Sequence, residues 1–170
     1  MENPIEELAC VVLSVTEPPT AEIFRNIDRY FTEDVAIYYP FFNQIYNRNG
    51  RENLKAVYQW RQTFSYDNKI EFNAVMVNKD QTQATIDLYQ TIMFRLLPIK
   101  AFNARLNYIV RLGLRKCEDG KYRIYRQQDN LPTDITQSGF PLPRFIRIIN
   151  DVTKALAWLW NDIVAPTYAM

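Results

Sequence analysis

Phe102-Asn103-Ala104-Arg105-Leu106-Asn107-Tyr108-Ile109-Val110-Arg111-Leu112-Gly113-Leu114-Arg115-Lys116 is the stretch on which the fold turns. Its even positions over Phe102–Leu114 are Phe102, Ala104, Leu106, Tyr108, Val110, Leu112 and Leu114, whereas Asn103, Arg105, Asn107, Arg111 and Arg115 fall on odd ones. Successive strand side chains point to opposite faces, so this pattern predicts a long strand with one buried face. Tyr108 is the polar member of that face. Gln83–Leu97 repeats the pattern, with Ala84, Ile86, Leu88, Ile92 and Phe94 on one side and Gln90 as its polar exception. Pro98 separates the two strands. Lys69–Asn78 predicts a strand before them, and Lys121–Asn130 one after the tight Glu118-Asp119-Gly120 turn. An unpaired polar group inside an apolar stripe costs about 1–3 kcal/mol. Gln90 and Tyr108 therefore need a partner: each other, water or a ligand.

Upstream of the meander the period changes. Ile5, Leu8, Ala9, Val12 and Val15 form a helical stripe over residues 4–16, broken by Pro18-Pro19. Thr20 is placed to cap a second helix, with Ile23, Phe24, Ile27 and Phe31 inside and Glu33-Asp34 at its end. Val35–Tyr39 predicts a short strand, stopped by Pro40, with Tyr39 on the inner face beside Val35 and Ile37. Asn43–Gly50 reads as a loop and Arg51–Phe64 as a third helix, with Leu54, Val57, Tyr58, Arg61 and Phe64 along one side. Trp60 points away from Tyr58, toward the mouth of the fold. After the meander, Pro132, Gly139, Pro141 and Pro143 punctuate a loop. Arg144–Val164 then predicts an apolar helix carrying Trp158 and Trp160, able to pack on the cone or a dimer, lie on a membrane, or cover the pocket.

Helix, helix, short strand, helix and then a meander gives one α+β domain over residues 1–170, of which 131–170 are a loop plus a C-terminal helical extension. The compact solution is a curved antiparallel sheet wrapped around the N-terminal helices as a cone, whose open mouth is a usual place for a ligand.

The chain has no histidine, which excludes Ser–His–Asp and Cys–His nucleophiles, imidazole bases and His-rich metal sites. With no Gly-rich phosphate loop either, neither a metal nor an organic cofactor is expected. A net charge of +1 supplies no field toward nucleic acid or anionic membrane. Arg95, Arg105, Arg111 and Arg115 form an outer stripe expected to pair with Asp87 and Glu71. Cys10 and Cys117 are read as free thiols, which suits a reducing compartment. No signal peptide or membrane-spanning run is evident, so the expected location is cytoplasmic, with peripheral membrane contact through the last helix as an option.

Arg29-Tyr30-Phe31-Thr32-Glu33-Asp34-Val35-Ala36-Ile37-Tyr38-Tyr39-Pro40 resembles the first strand of nuclear-transport-factor-2-like (SnoaL-like) folds, where a helix ends in Phe followed by acids. Tyr58-Gln59-Trp60-Arg61, Gln90-Thr91-Ile92-Met93-Phe94-Arg95-Leu96 and Tyr122-Arg123-Ile124-Tyr125-Arg126-Gln127-Gln128-Asp129 are similar to the fungal SigF-like branch of that superfamily. The likeness runs over roughly residues 5–165 and rests on the order and spacing of these motifs. It implies a cone-shaped α+β barrel, often a homodimer through its sheet, on a fold that hosts isomerases, cyclases, dehydratases, hydrolases and non-catalytic binders.

The chain departs from several relatives. Ketosteroid-isomerase-like members keep a carboxylate where Tyr39 stands, scytalone-dehydratase-like members depend on histidines, and the Asp–Arg–Asp set of limonene-epoxide-hydrolase-like members finds no clear match. The resemblance implies a retained Asp at Asp129. Alternation from Ile124 instead turns Gln128 inward and Asp129 outward, unless a bulge intervenes. The candidate site is thus Tyr108 and Tyr39 as hydrogen-bond donors, Asp129 for proton transfer, Gln90 for orientation, and Tyr58, Trp60 and Phe94 as cavity walls, with Gln128 as the in-facing alternative. The expected function is a cofactor-independent isomerase or cyclase acting on an apolar natural-product intermediate. The alternatives are a non-catalytic lipid binder docked at membranes by the C-terminal helix, and a dimerisation module.

Overall fold

A computed structural model of the protein describes residues 1–39, 42–94, 104–132, 137–139, 148 and 151–155, without the side chains of Phe42, Phe64 and Phe94. Helix α1 spans Pro4–Thr16, where Asn3 Oδ1 accepts from the Ile5 N–H at 3.2 Å as the N-cap. Helix α2, Thr20–Tyr30, is capped differently from expectation. Pro19 is the N-cap, because its extended geometry (φ −61°) leaves its carbonyl free to accept from Glu22 N at 3.0 Å and Ile23 N at 3.1 Å. The Thr20 hydroxyl donates instead to Gln62 Oε1 of the third helix.

Helix α2 stops at Tyr30, before Glu33-Asp34, and β1 runs Phe31–Tyr39. Phe31 is wholly buried and pairs with Ile124, which draws the strand start forward by four residues relative to Val35. Asp34 lies on this strand and holds Arg115 at 2.7 Å. Phe42–Gln44 form β2 against β1, taking Asn43 and Gln44 from the expected loop, a strand too short for alternation to reveal. Helix α3 is Gly50–Phe64. Strand β3 is Ser65–Val77, longer at its start than the alternation from Lys69, because Ser65 and Tyr66 pair with Phe94 and Met93 ahead of a register shift. Strands β4 (Gln83–Phe94), β5 (Ala104–Lys116) and β6 (Tyr122–Asn130) complete the meander, and Gly120 takes φ +77° in the last turn. Residues 95–97, 102 and 103 of the expected strands lie outside the described residues.

The strand order is β2-β1-β6-β5-β4-β3. It is a mixed sheet and not the antiparallel one expected, because β1 lies parallel to β6. The chain crosses the whole domain between those two strands, so no hairpin constrains their direction. The helices cover one face of the curved sheet. Leu8, Val11, Val15, Ile23, Ile27 and Leu54 meet Val35, Ile37, Ile86, Leu112, Leu114 and Ile124 in one core. Arg105 pairs with Glu71 at 2.6 Å as expected, whereas Asp87 accepts from Asn73 Nδ2 at 3.1 Å.

Residues 151–155 are helical and exposed; the rest of the expected C-terminal helix, with Trp158 and Trp160, lies outside the described residues apart from Ile148, which is helical. Among the described residues no helix is long and apolar enough to cross a membrane. Cys10 and Cys117 are both free thiols.

Gly50 marks where α3 meets β1. A Cβ there would sit 2.4 Å from the Val35 carbonyl oxygen and 2.8 Å from its nitrogen, both backbone atoms. Alanine gains about 1 kcal/mol of helix propensity over glycine, but overpacking against an immovable backbone costs about 1–3 kcal/mol. Gly50→Ala is therefore expected to lower the stability by up to about 2 kcal/mol net, read as a lower urea midpoint with unchanged slope; a raised midpoint would contradict the close approach.

Candidate active site

The site begins with a break in register. Leu114 pairs with Ile124 and Gly113 with Arg126, so Tyr125 is an extra residue in β6. Gly113 makes room for it: a Cβ there would lie 2.8 Å from both Cε1 and Cζ of the Tyr125 ring. The extra residue changes the parity of everything after it. Ile124 faces the core, and beyond the bulge Gln127 and Asp129 face inward, opposite Leu112 and Val110. Gln128 is correspondingly turned away from the main cavity, where its Nε2 donates to Asn130 Oδ1 at 3.0 Å. The in-facing assignment of Gln128 is thus corrected, and that of Asp129 is supplied by the bulge.

A cavity of about 300 Å³ lies between α1, α3 and the inner face of the sheet. Val11, Val12, Val15, Leu88, Ile92, Leu106 and Val110 make most of its wall apolar. Four neighbouring strands set polar side chains into it, among them Gln90 from β4, Tyr108 from β5, Asp129 from β6 and Tyr39 from β1. The registers Leu88↔Tyr108, Gln90↔Leu106, Val110↔Asp129 and Tyr38↔Gln128 place them on adjacent rungs, as a polar row crossing an apolar surface. Tyr58 and Arg61 enter from α3, Gln127 from β6, and Trp60 lines the rim although 66% exposed. Phe94 as a cavity wall lies outside the described side chains.

The Gln127 amide joins two members of the row, its Nε2 donating to Asp129 Oδ1 at 3.0 Å and to the Tyr39 hydroxyl at 3.4 Å. Burial pushes the Asp129 carboxyl up to about 7, against the downward pull of the Gln127 hydrogen bond and the Arg61 charge. Burial also raises Tyr39 far above the usual phenol range, helped by Tyr58 and Asp129. Tyr58 is raised by burial as well, and Tyr108 is raised by burial and then by Asp129. At neutral pH the cavity therefore holds three protonated phenols and one carboxyl near its midpoint. Such a carboxyl both donates and accepts protons readily. Gln90 Nε2 is buried and has no partner among the described residues, and no described residue bonds the Tyr108 hydroxyl. Among the described residues no group of three or more Cys, Asp or Glu could hold a metal ion.

All the sequence-derived candidates with described side chains except Gln128 meet in this one cavity. Gln127 is not among the sequence-derived candidates, and the bulge that turns Asp129 inward, as the resemblance but not the alternation implies, is not visible in the alternation. The available signal was Gly113, an isolated glycine in a strand, which commonly marks a bulge or a close approach. Arg61 was read as part of the α3 stripe; a cation among apolar residues was the sign that this face borders a cavity.

A sequence model of the SigF NTF2-like domain matches residues 1–170. Solved structures with a similar fold include an LEH-like epoxide hydrolase of M. tuberculosis, at 13% identity and a TM-score of 0.54, over 78% of this chain and 81% of that one. A putative scytalone dehydratase from Novosphingobium aromaticivorans is 14% identical with a TM-score of 0.56, covering 81% of this chain and 92% of its own. The epoxide hydrolase/cyclase-like enzyme SalBIII, described as acting in pyran ring formation in the polyether salinomycin, is 16% identical with a TM-score of 0.55, over 82% and 99% of the two chains. No curated protein matches the sequence significantly.

With no histidine in the chain, Asp129 dominates titration near neutrality. Its folded pKa lies above its unfolded one, so its contribution to stability is full below the unfolded value and is lost as pH rises through about 7. From pH 6 to pH 8 ionisation stabilises an ordinary unfolded carboxyl by about 2.7 kcal/mol and one with a midpoint near 7 by about 1.4 kcal/mol. The protein is therefore expected to lose about 1.4 kcal/mol over that interval in urea melts, and Asp129→Asn to lose little of it. The buried N-terminal amine, whose pKa is lowered by burial, acts in the opposite direction and is common to both proteins. Equal pH slopes for the two would contradict the burial of this carboxyl.

Proposed function

The chain belongs to the SigF NTF2-like domain family, and from that premise we propose that it is a cofactor-independent isomerase or cyclase acting on an apolar small molecule. One observation carries this reading. A carboxyl buried in a mostly apolar cavity, with its pKa brought up to about 7, shares the Gln127 amide with the Tyr39 hydroxyl. A passive apolar pocket has no use for an ionisable group that costs stability to bury.

The chemistry follows from the row. A substrate carbonyl oxygen seated between Gln90 Nε2 and the Tyr108 hydroxyl accepts two hydrogen bonds that no described residue takes up. Asp129, ionised, takes a proton from the carbon beside that carbonyl. The charge moves to the oxygen, where the two donors stabilise it as it develops. Returning the proton at another carbon gives an isomer. Attack of the enolate carbon on an electrophilic carbon of the same molecule gives a ring, with the proton delivered to the displaced oxygen. Neither route changes the oxidation level of the substrate as a whole. Tyr39 and Tyr58, held protonated by burial, supply further donors along the path.

The non-catalytic lipid-binding alternative rests on the C-terminal helix as a membrane anchor, and most of that helix falls outside the described residues. The buried carboxyl favours the enzyme. A panel of β,γ-unsaturated ketones and epoxy-ketones, followed by mass spectrometry and NMR, tests the proposal. Turnover is expected, with a rate that rises with pH through an apparent pKa near 7 if Asp129 acts as base in the rate-limiting step. Asp129→Asn is expected to lower kcat at least 100-fold, and Tyr108→Phe about 10-fold to 100-fold. A turnover unaffected by both substitutions would remove the assignment.

A further inference from the structure

The cavity contains a second unmet group. Arg61 is its one cationic lining residue among those described. Its guanidinium lies over the Tyr58 ring at 4.5 Å and donates through Nη2 to the Thr16 carbonyl at 3.1 Å, so it is held in place from two sides. Its Nε is buried with no hydrogen-bond partner. Among the described arginines outside the cavity, Arg51, Arg105, Arg115 and Arg123 each hold a carboxylate oxygen at 2.6–3.3 Å, whereas Arg25, Arg29, Arg48, Arg111 and Arg126 hold none but are exposed to solvent. No carboxylate of a described residue, Asp129 included, pairs with Arg61.

A fixed cation bordering an apolar cavity without a counter-ion is costly unless something of opposite charge arrives. The guanidinium fork suits a carboxylate better than a neutral acceptor. We propose that the ligand of this cavity is an apolar monoanion, most simply a carboxylic acid, whose charged group is held by Arg61 while its apolar body fills the space toward the sheet. This deepens the isomerase reading of the same site by naming the class of substrate. The polar row and Arg61 then divide the ligand between them: Gln90, Tyr108 and Asp129 face the reacting part, and Arg61 fixes the end that does not react. At ordinary packing density a cavity of about 300 Å³ takes a body of roughly ten to fifteen non-hydrogen atoms.

Calorimetric titration of the purified full chain with decanoate and with decanol tests the proposal, because the two differ only in the charged group. Decanoate is expected to bind at least tenfold more tightly than decanol. Arg61→Gln should weaken decanoate at least tenfold and leave decanol within twofold, and Arg61→Lys should keep most of the preference for the acid. The lysine variant separates the charge from the structural bond to Thr16, and melting curves report whether each variant is folded. Equal affinities for acid and alcohol, absence of decanoate binding, or an equal loss of both ligands in folded Arg61→Gln would overturn the proposal. Decanoate is not asked to react. Selective binding without turnover of any ketone would therefore support the anion site while counting against the enzyme, and turnover of neutral ketones with no acid preference would do the reverse.

Discussion

One extra residue in β6 governs the chemistry of the cavity. Strict alternation from Ile124 would send Gln128 inward and leave Asp129 in solvent, where its carboxyl would be an ordinary acid. The bulge at Tyr125 reverses that parity. It is held from both sides of the sheet's outer surface: Gly113 leaves the Tyr125 ring room to lie across β5, Tyr46 stacks on that ring at 6.2 Å and 16°, and Arg115 covers it at 5.5 Å. Backbone register, and not a long-range charge, places the carboxyl in its apolar setting.

The polar groups of the cavity fall into two sets, and the division gives the site its direction. Asp129 and Tyr39 are satisfied internally through Gln127, which fixes their positions before any ligand arrives. Gln90 Nε2 and Arg61 Nε have no partner among the described residues. In the proposed reaction the preorganised groups transfer the proton and the unmet groups bind the substrate. The same burial that raises the carboxyl's pKa keeps the three tyrosines protonated, so acid, base and donors coexist at one pH without a histidine or a metal ligand being required.

Much of the architecture was legible because two strands alternate so plainly. In Phe102–Leu114 and Gln83–Leu97 the only polar intrusions on the apolar faces are Tyr108 and Gln90, and both line the cavity. Alternation also placed Tyr39. What the sequence concealed is long-range or sub-periodic. Nothing local says that β1 lies parallel to β6, and three residues cannot show that they form β2. Pro19 displaced Thr20 as a cap because a fixed backbone geometry outweighed a hydroxyl. The inward turn of Asp129 was expected only through the resemblance, while residue parity argued against it. Gly113 reconciles the two, and it was visible in the quoted strand as the one residue without a side chain.

The strand that carries the base in ketosteroid-isomerase-like relatives ends here in Tyr39, and the carboxyl enters from β6. On the proposed reading the same fold carries its acid–base group on β6, one strand over from that position. The central claim is the state of that carboxyl. A titration of the aspartate side-chain carboxyl carbons by NMR measures it directly, with Asp119 as an internal reference because its hydrogen bonds to Arg123 and the Lys121 N–H hold it down at about 2. Asp129 is expected to titrate with a midpoint near 7; a midpoint near 4, the usual carboxylate value, would contradict the account.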